Sequence, residues 1–325
     1  MVGGGQGRPL AANETAVIVK VSVIIPTLQA GARLAALLDA LRRQTLQASE
    51  ILVVDSTSDD GTADLARRAG CRVEVIPRRA FDHGGTRNLA ARRADGDTLV
   101  FMTQDALPAS DGFLETLVHP LGDGRAAAAY ARQVASPGAP PGEVFARRFN
   151  YPEASVRRTL ADLPRLGIRT FFMSDVASAV GRGPFEAVGG FPDRVIMSED
   201  MLLCARLLRH GYTVAYEAAA VVLHDHRYTL GQTFKRYFDI GVLRKEAGDA
   251  LAGARWSGQG LCFARQLFAF LLRSGAWTSL PRAAAETVLK AAAVQLGARH
   301  RRIPASVKQR LSLHPAFWSD SGSAP

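Results

Sequence analysis

Val21-Ser-Val-Ile-Ile-Pro-Thr27 and, one helix later, Ile51-Leu-Val-Val-Asp55 decide the fold. Each is a short, mostly β-branched run without apolar–polar alternation, the pattern of a strand covered on both faces. Between them Leu34, Leu37, Leu38 and Leu41 fall on one stripe of a helix over residues 32–43. Working outward, Ser58-Asp-Asp-Gly-Thr62 reads as a turn that opens a second helix. A third strand follows over residues 72–76, a helix over 86–94 and a fourth strand over 98–102. Strand and helix alternate, which implies right-handed crossovers and an α/β fold with a mostly parallel central sheet flanked by helices.

Past Ala106 the pattern loosens. A helix is expected over residues 111–121, a strand over 126–133, and loops over 136–142 and 181–192, where Gly and Pro cluster. Residues 198–211 read as a helix with Ser198 as N-cap, and 214–216 and 221–223 as two short strands. The chain is mainly helical from Gln232. Three parts are therefore expected: a flexible lead-in over 1–20, the α/β domain over 21–230, and a helical C-terminal extension over 231–325.

The 325 residues carry a net charge of +10. From residue 251 onward ten Lys and Arg face only Glu286 and Asp320, so most of the excess sits in the tail. A basic tail mixed with apolar helices can bind anionic lipid or nucleic acid, or be a solvated face. No run reaches the roughly 18 apolar residues of a membrane-spanning helix, and the N-terminus lacks the apolar centre of a secretion signal. A cytoplasmic location is expected, with peripheral attachment to the inner face of the membrane. Cys71, Cys204 and Cys262 are isolated, with neither zinc-site nor disulfide spacing.

The turn after the first strand, Pro26-Thr-Leu-Gln-Ala-Gly31, holds one glycine where a dinucleotide fold needs three, and no P-loop is present. Phosphate must be held another way. Asp55 ends the second strand and Asp105 follows the fourth, at the strand ends where ligands of open parallel sheets bind. An acid there accepts hydrogen bonds from a nucleoside or holds Mg²⁺ or Mn²⁺, though strand-end aspartates also cap turns. Asp82-His-Gly-Gly-Thr-Arg-Asn88 offers two glycines for close backbone approach, with His83 and Arg87 to face phosphate or sugar; the competing reading is a turn in which Thr86 caps the next helix. Glu199 and Asp200 stand at a helix start, one of them placed to deprotonate a hydroxyl, although first-turn acids also serve the helix dipole. His224 and His226, two apart, face the same way and compete between metal ligation and ordinary surface roles.

In order, these segments resemble glycosyltransferase family 2, the inverting family with the GT-A fold. The resemblance rests on Val21–Thr27, Val53-Val-Asp-Ser-Thr-Ser-Asp-Asp-Gly-Thr62, the strand leading to Asp105, Gly189-Gly-Phe-Pro192 and Ser198-Glu-Asp200. A narrower likeness, to the rhamnosyltransferase branch, is carried by Phe81–Asn88, Thr103-Gln-Asp-Ala106, His224–Leu230, Lys235-Arg-Tyr-Phe-Asp-Ile-Gly241 and Leu296–Pro304. The resemblance implies a nucleotide-diphosphate sugar donor, dTDP-rhamnose in type, and a glycan or lipid-linked acceptor. It implies donor contacts from Pro26, Thr27, Asp55, His83, Arg87, Gln104 and Asp105, a divalent cation on Asp105 with help from His224 and His226, and Asp200 as base beside Glu199. The family's metal motif is commonly Asp-x-Asp, and Thr103 replaces its first acid.

Two rivals make different demands. A sugar-1-phosphate nucleotidyltransferase wants a Gly-rich basic loop after the first strand, which Gln29-Ala-Gly-Ala-Arg33 does not supply. A non-catalytic basic binding protein for membrane or nucleic acid would have no use for Asp55, Asp105 and Asp200 together, and nucleic acid is not expected as a partner.

Overall fold

The computed structural model describes residues 20–224, 226, 228–256 and 258–319; apart from Lys20, the expected lead-in lies outside them. Among these residues nine strands form one sheet: β1 (Val21–Thr27), β2 (Glu50–Asp55), β3 (Arg72–Val75), β4 (Thr98–Met102), β5 (Leu107–Pro108), β6 (Ala128–Val134), β7 (Val156–Arg158), β8 (Ala177–Gly181) and β9 (Val214–Leu223). Their order is β3-β2-β1-β4-β8-β6-β9-β5, with β7 also on β9. Six strands run one way, and β5, β7 and β8 oppose them.

The helices are α1 (Gly31–Arg42), α2 (Thr62–Arg68), α3 (His83–Arg93), α4 (Phe113–Gly122), α5 (Pro141–Asn150), α6 (Leu163–Leu166), α7 (Arg182–Ala187), α8 (Glu199–Arg209), α9 (Leu230–Glu246), α10 (Gln259–Arg273), α11 (Leu280–Gly297) and α12 (Ala305–Leu311). Strand periodicity sorts the core into two layers. Val23, Ile25, Val53, Val100 and Met102 pack with Leu34, Leu37, Leu38 and Leu41 of α1 and with Phe113, Leu114 and Leu117 of α4. Ile24, Leu52, Val54, Leu99 and Phe101 pack on the other face with α3, α8 and α9. The four α1 leucines are buried, each worth about 1.5–3 kcal/mol relative to exposure.

The C-terminal helices join this second layer. Phe238, Val242, Leu243, Leu251 and Trp318 share one apolar core with Ile24, Leu99 and Phe101. Helix α9 crosses α11 at paired glycines. A Cβ on Gly297 would stand 2.0 Å from the Phe238 carbonyl oxygen, and one on Gly241 2.3 Å from that of Val294.

Several expectations are corrected. Helix α3 begins at His83, three residues early, because Asp82 is its N-cap: Asp82 Oδ1 accepts from Gly85 N at 2.6 Å, and Thr86 Oγ1 accepts from Asp82 N at 3.2 Å. Gly84 therefore sits in a helical turn packed on a loop, where a Cβ would meet the Pro192 carbonyl at 2.2 Å. The expected loop over 181–192 holds α7, and just before it lies β8, whose small residues (Ala177-Ser-Ala-Val-Gly181) hid a strand threaded antiparallel between β4 and β6. The two strands expected at 214–216 and 221–223 are one strand, β9, with a register shift against β6 at Ala131/Arg132. Ser198 makes no side-chain cap; it takes a left-handed conformation, φ 61°, that turns the chain into α8.

Candidate active site

The parallel strands β1, β2 and β4 end on one edge, and their loops are tied by side chains. Asp55 is 1% exposed and accepts from Thr27 Oγ1 at 3.0 Å, from Ser58 N at 2.8 Å and from Ser58 Oγ at 2.7 Å. Three of roughly four acceptor positions on its carboxylate are thereby used inside the protein. Pro26 lies in β1 opposite Val54, without an N–H to offer. Gln104 spends its amide on Leu28, accepting from its N–H at 2.8 Å and donating to its carbonyl at 3.0 Å. Pro26, Thr27, Asp55 and Gln104 thus gather at one place, and the last three hold the loops that frame it.

Asp105, His224 and His226 come together after β4 and β9, with their ligating atoms all within 4.8 Å of one another. Gln133 orients this group. Its Oε1 accepts from Arg147 Nη1 at 2.6 Å, a group that only donates, and faces His224 Nδ1 at 3.0 Å. His224 Nδ1 must therefore carry a proton, and Nε2 of the same ring faces Asp105 Oδ1 at 3.5 Å. One carboxylate and two imidazoles gathered this closely are a donor set that fits a divalent ion. Burial opposes ionisation of Asp105, but the His224 hydrogen bond and charge overcome it and hold the carboxyl far below the usual range. Burial, then the charge of His224, push His226 down to about 4, so its ring is neutral at pH 7. Thr103 sets a hydroxyl, not a second acid, beside Asp105.

A second cluster surrounds the start of α8. Arg87, buried on α3, pairs with Asp175 Oδ2 at 2.8 Å and with Glu199 Oε1 at 3.1 Å. Its guanidinium is thereby committed to two carboxylates. Asp200, partly exposed beside them, accepts from Asp175 N at 3.2 Å and from Met201 N at 2.7 Å. Three carboxylates share one cation here. Burial raises Asp175 to about 7 against the pull of Arg87, with Glu199 adding to the rise. Burial, then Asp175 and Glu199, lift Asp200 well above its ordinary value. His83 lies 3.7 Å from Glu199, and burial with the Arg87 charge pushes it down to about 4. At pH 7 its ring is therefore neutral here, a hydrogen-bonding group.

The two clusters are one network. Gln133 Nε2 donates to Ser174 Oγ at 2.8 Å, and the next residue is Asp175, whose N–H reaches Asp200. Sequence reasoning missed Asp175, Gln133 and His314. Asp175 follows no spacing rule, and a glutamine within an apolar strand was the signal for Gln133. The His314 ring meets His83 edge-on at 5.2 Å, brought there from the far end of the chain. Beside the triad a cavity of about 510 Å³ is lined by Arg33, Gln104, Asp105, Leu107, His224 and His226. A larger groove of about 950 Å³ lies along α10 between Phe145 and Ser274, away from both clusters.

With this geometry in view, residues 22–189 match the family model for glycosyl transferase family 2. The chain belongs to that family and is a glycosyltransferase that uses a nucleotide-sugar donor. It is 37% identical over 311 residues to the O-antigen chain rhamnosyltransferase RfbN of Salmonella typhimurium, covering 93% of this chain and 97% of the relative. It is 36% identical over 308 residues to the O-antigen chain rhamnosyltransferase WbaN of Salmonella anatum, covering 92% and 96%. Among solved structures, the mannosyltransferase PcManGT from Pyrobaculum calidifontis, bound to GDP-Man and Mn²⁺, shares the fold with a TM-score of 0.60 at 20% identity, over 87% of this chain and 86% of that one. The GT-A expectation holds, with a helical C-terminal extension.

Proposed function

We propose that the chain transfers a rhamnosyl group from a dTDP-type donor to a hydroxyl of an O-antigen-type, lipid-linked glycan, inverting the anomeric centre. The substrate class is supported by two rhamnosyltransferase relatives that align over nearly their whole length. The mechanism is supported by one observation, the continuous run of contacts from Asp105 through His224, Gln133, Ser174 and Asp175 to Asp200. It couples a site built for a cation to a site built to take a proton.

Asp105, His224 and His226 would hold a divalent ion, which would supply charge stabilisation to a departing diphosphate; two imidazoles among three ligands favour Mn²⁺ over Mg²⁺. Asp200 accepts the proton of the acceptor hydroxyl as the sugar is displaced. Asp175 and Glu199 raise its basicity, and Arg87 keeps the three acids from repelling one another apart. His83 orients sugar hydroxyls as a neutral partner.

No helix among the described residues is long and apolar enough to cross a membrane. Leu261 (70% exposed), Trp277 (63%) and Val288 (71%) stand on a stretch that also carries Arg265, Arg273 and Arg282. This mixture supports docking on an anionic membrane, where a lipid-linked acceptor resides.

A panel of nucleotide sugars, scored by thermal stabilisation and release of nucleoside diphosphate, tests the donor. dTDP-rhamnose is expected to give the largest shift and turnover. Turnover of a UDP- or GDP-sugar with none of dTDP-rhamnose would contradict it.

A further inference from the structure

The segment Lys235-Arg-Tyr-Phe-Asp-Ile-Gly241 on α9 is explained only in part by the fold. Phe238 fills the core, Gly241 lets α11 approach, and Asp239 accepts from Leu313 N at 2.9 Å, which anchors the segment carrying His314. Arg236 has no such task. Its Cζ lies 5.8 Å above the Tyr228 ring, Tyr228 stacks on His226 with centroids 4.9 Å apart and planes at 27°, and His226 meets His224 edge-on at 4.5 Å. A ladder thus runs from the Arg236 guanidinium down to the cation triad.

Among the described residues no carboxylate forms an ion pair with Arg236. Asp239, one turn along the same helix, is the nearest candidate in sequence, and it is turned to the 312–313 backbone. Of the other guanidinium groups near the clusters, Arg87 is taken by Asp175 and Glu199 and Arg147 by Glu143 and Gln133, while Arg33, which lines the triad cavity, is solvent-exposed. Arg236 feels the Asp239 charge but makes no direct ion pair with it, and a half-buried guanidinium without a bound anion is costly, a cost that stacking on one ring recovers only in small part.

We propose that Arg236 is a diphosphate-binding residue of the donor site, reaching from α9 for the phosphates of a donor seated beside Asp105, His224 and His226. This rests on the nucleotide-sugar reading above. The planar fork of arginine suits two phosphate oxygens at once, whereas lysine offers only a point charge. Arg236 would hold the diphosphate in the donor and again as it departs, and take no part in proton transfer.

Calorimetric titration of the full chain in Mn²⁺ with nucleoside diphosphate and with the matching monophosphate tests this, on wild type, Arg236→Ala, Arg236→Lys and Arg33→Ala. Arg236→Ala is expected to weaken the diphosphate about 10- to 100-fold, the monophosphate by much less, with Arg236→Lys between. Melting temperatures and a largely retained monophosphate affinity would show that the variants fold. Undiminished diphosphate binding in Arg236→Ala, an equal loss for both ligands, or a loss confined to Arg33→Ala would overturn the assignment. A wild-type chain that binds no nucleoside diphosphate across the thymidine, uridine and guanosine series would instead remove the donor reading itself.

Discussion

His224 Nε2 faces Asp105 Oδ1 at 3.5 Å, while the other nitrogen of the same ring is held by Gln133 at 3.0 Å. The ring cannot turn away without losing that bond, so Nε2 is aimed at the carboxylate before any ion arrives. Such outer partners of metal-binding histidines fix tautomer and orientation.

A divalent ion should therefore stabilise the fold. At 100 times its dissociation constant Mn²⁺ adds about 2.7 kcal/mol, read as a rise in melting temperature that chelator reverses. His224→Ala and Asp105→Ala should abolish the rise, and Gln133→Leu should weaken Mn²⁺ about 10- to 100-fold while all three ligands remain. Full transfer activity in excess chelator would remove the metal role.

Asp200→Asn keeps the shape of the side chain and removes its basicity. Turnover should fall about 10²- to 10⁴-fold with donor affinity little changed. Near-full turnover in a purified donor-plus-acceptor assay would exclude Asp200 as the base.

The acid cluster makes catalysis and stability respond to pH in opposite directions. Asp175 is raised to about 7 by burial, and Asp200 is raised with it, so kcat/KM should climb with pH along a limb near 7 that belongs to the cluster as a whole. For stability, a folded-state pKa above the unfolded value means that the native chain binds the extra proton. The cluster's contribution is greatest below about pH 4 and declines as pH rises through 7. Melting curves across that range should show Asp200→Asn losing less stability than wild type on alkalinisation. An equal loss would show that Asp200 does not titrate in the fold.

The α9–α11 crossing tolerates no side chain at Gly297, where a Cβ would fall 2.0 Å from the Phe238 carbonyl. Gly297→Ala should destabilise the chain by about 1–3 kcal/mol through forced separation of the helices, measured by denaturant unfolding. An unchanged midpoint would mean that the helices part at no cost.

How far these features were legible in the sequence follows from how local they are. Strands β1, β2 and β4 announce themselves because burial on both faces leaves only bulky apolar residues. Strand β8 does not, since the tight middle of the sheet takes alanine and serine. His224 and His226 declared a shared direction through spacing alone, and Asp105 through its place after a strand. Arg87 was read as a phosphate contact because an arginine in a Gly-rich segment points that way. Its burial between Asp175 and Glu199 depends on residues 88 and 112 positions further along the chain. Asp175 and His314 likewise acquire meaning only when distant segments meet.

The anomeric configuration of the transferred sugar tests the central claim most directly, measured by NMR on product made by the purified chain from a nucleotide-sugar donor of known configuration. A single displacement assisted by Asp200 predicts a glycoside of configuration opposite to that of the donor. A product that retains the donor's configuration would contradict it.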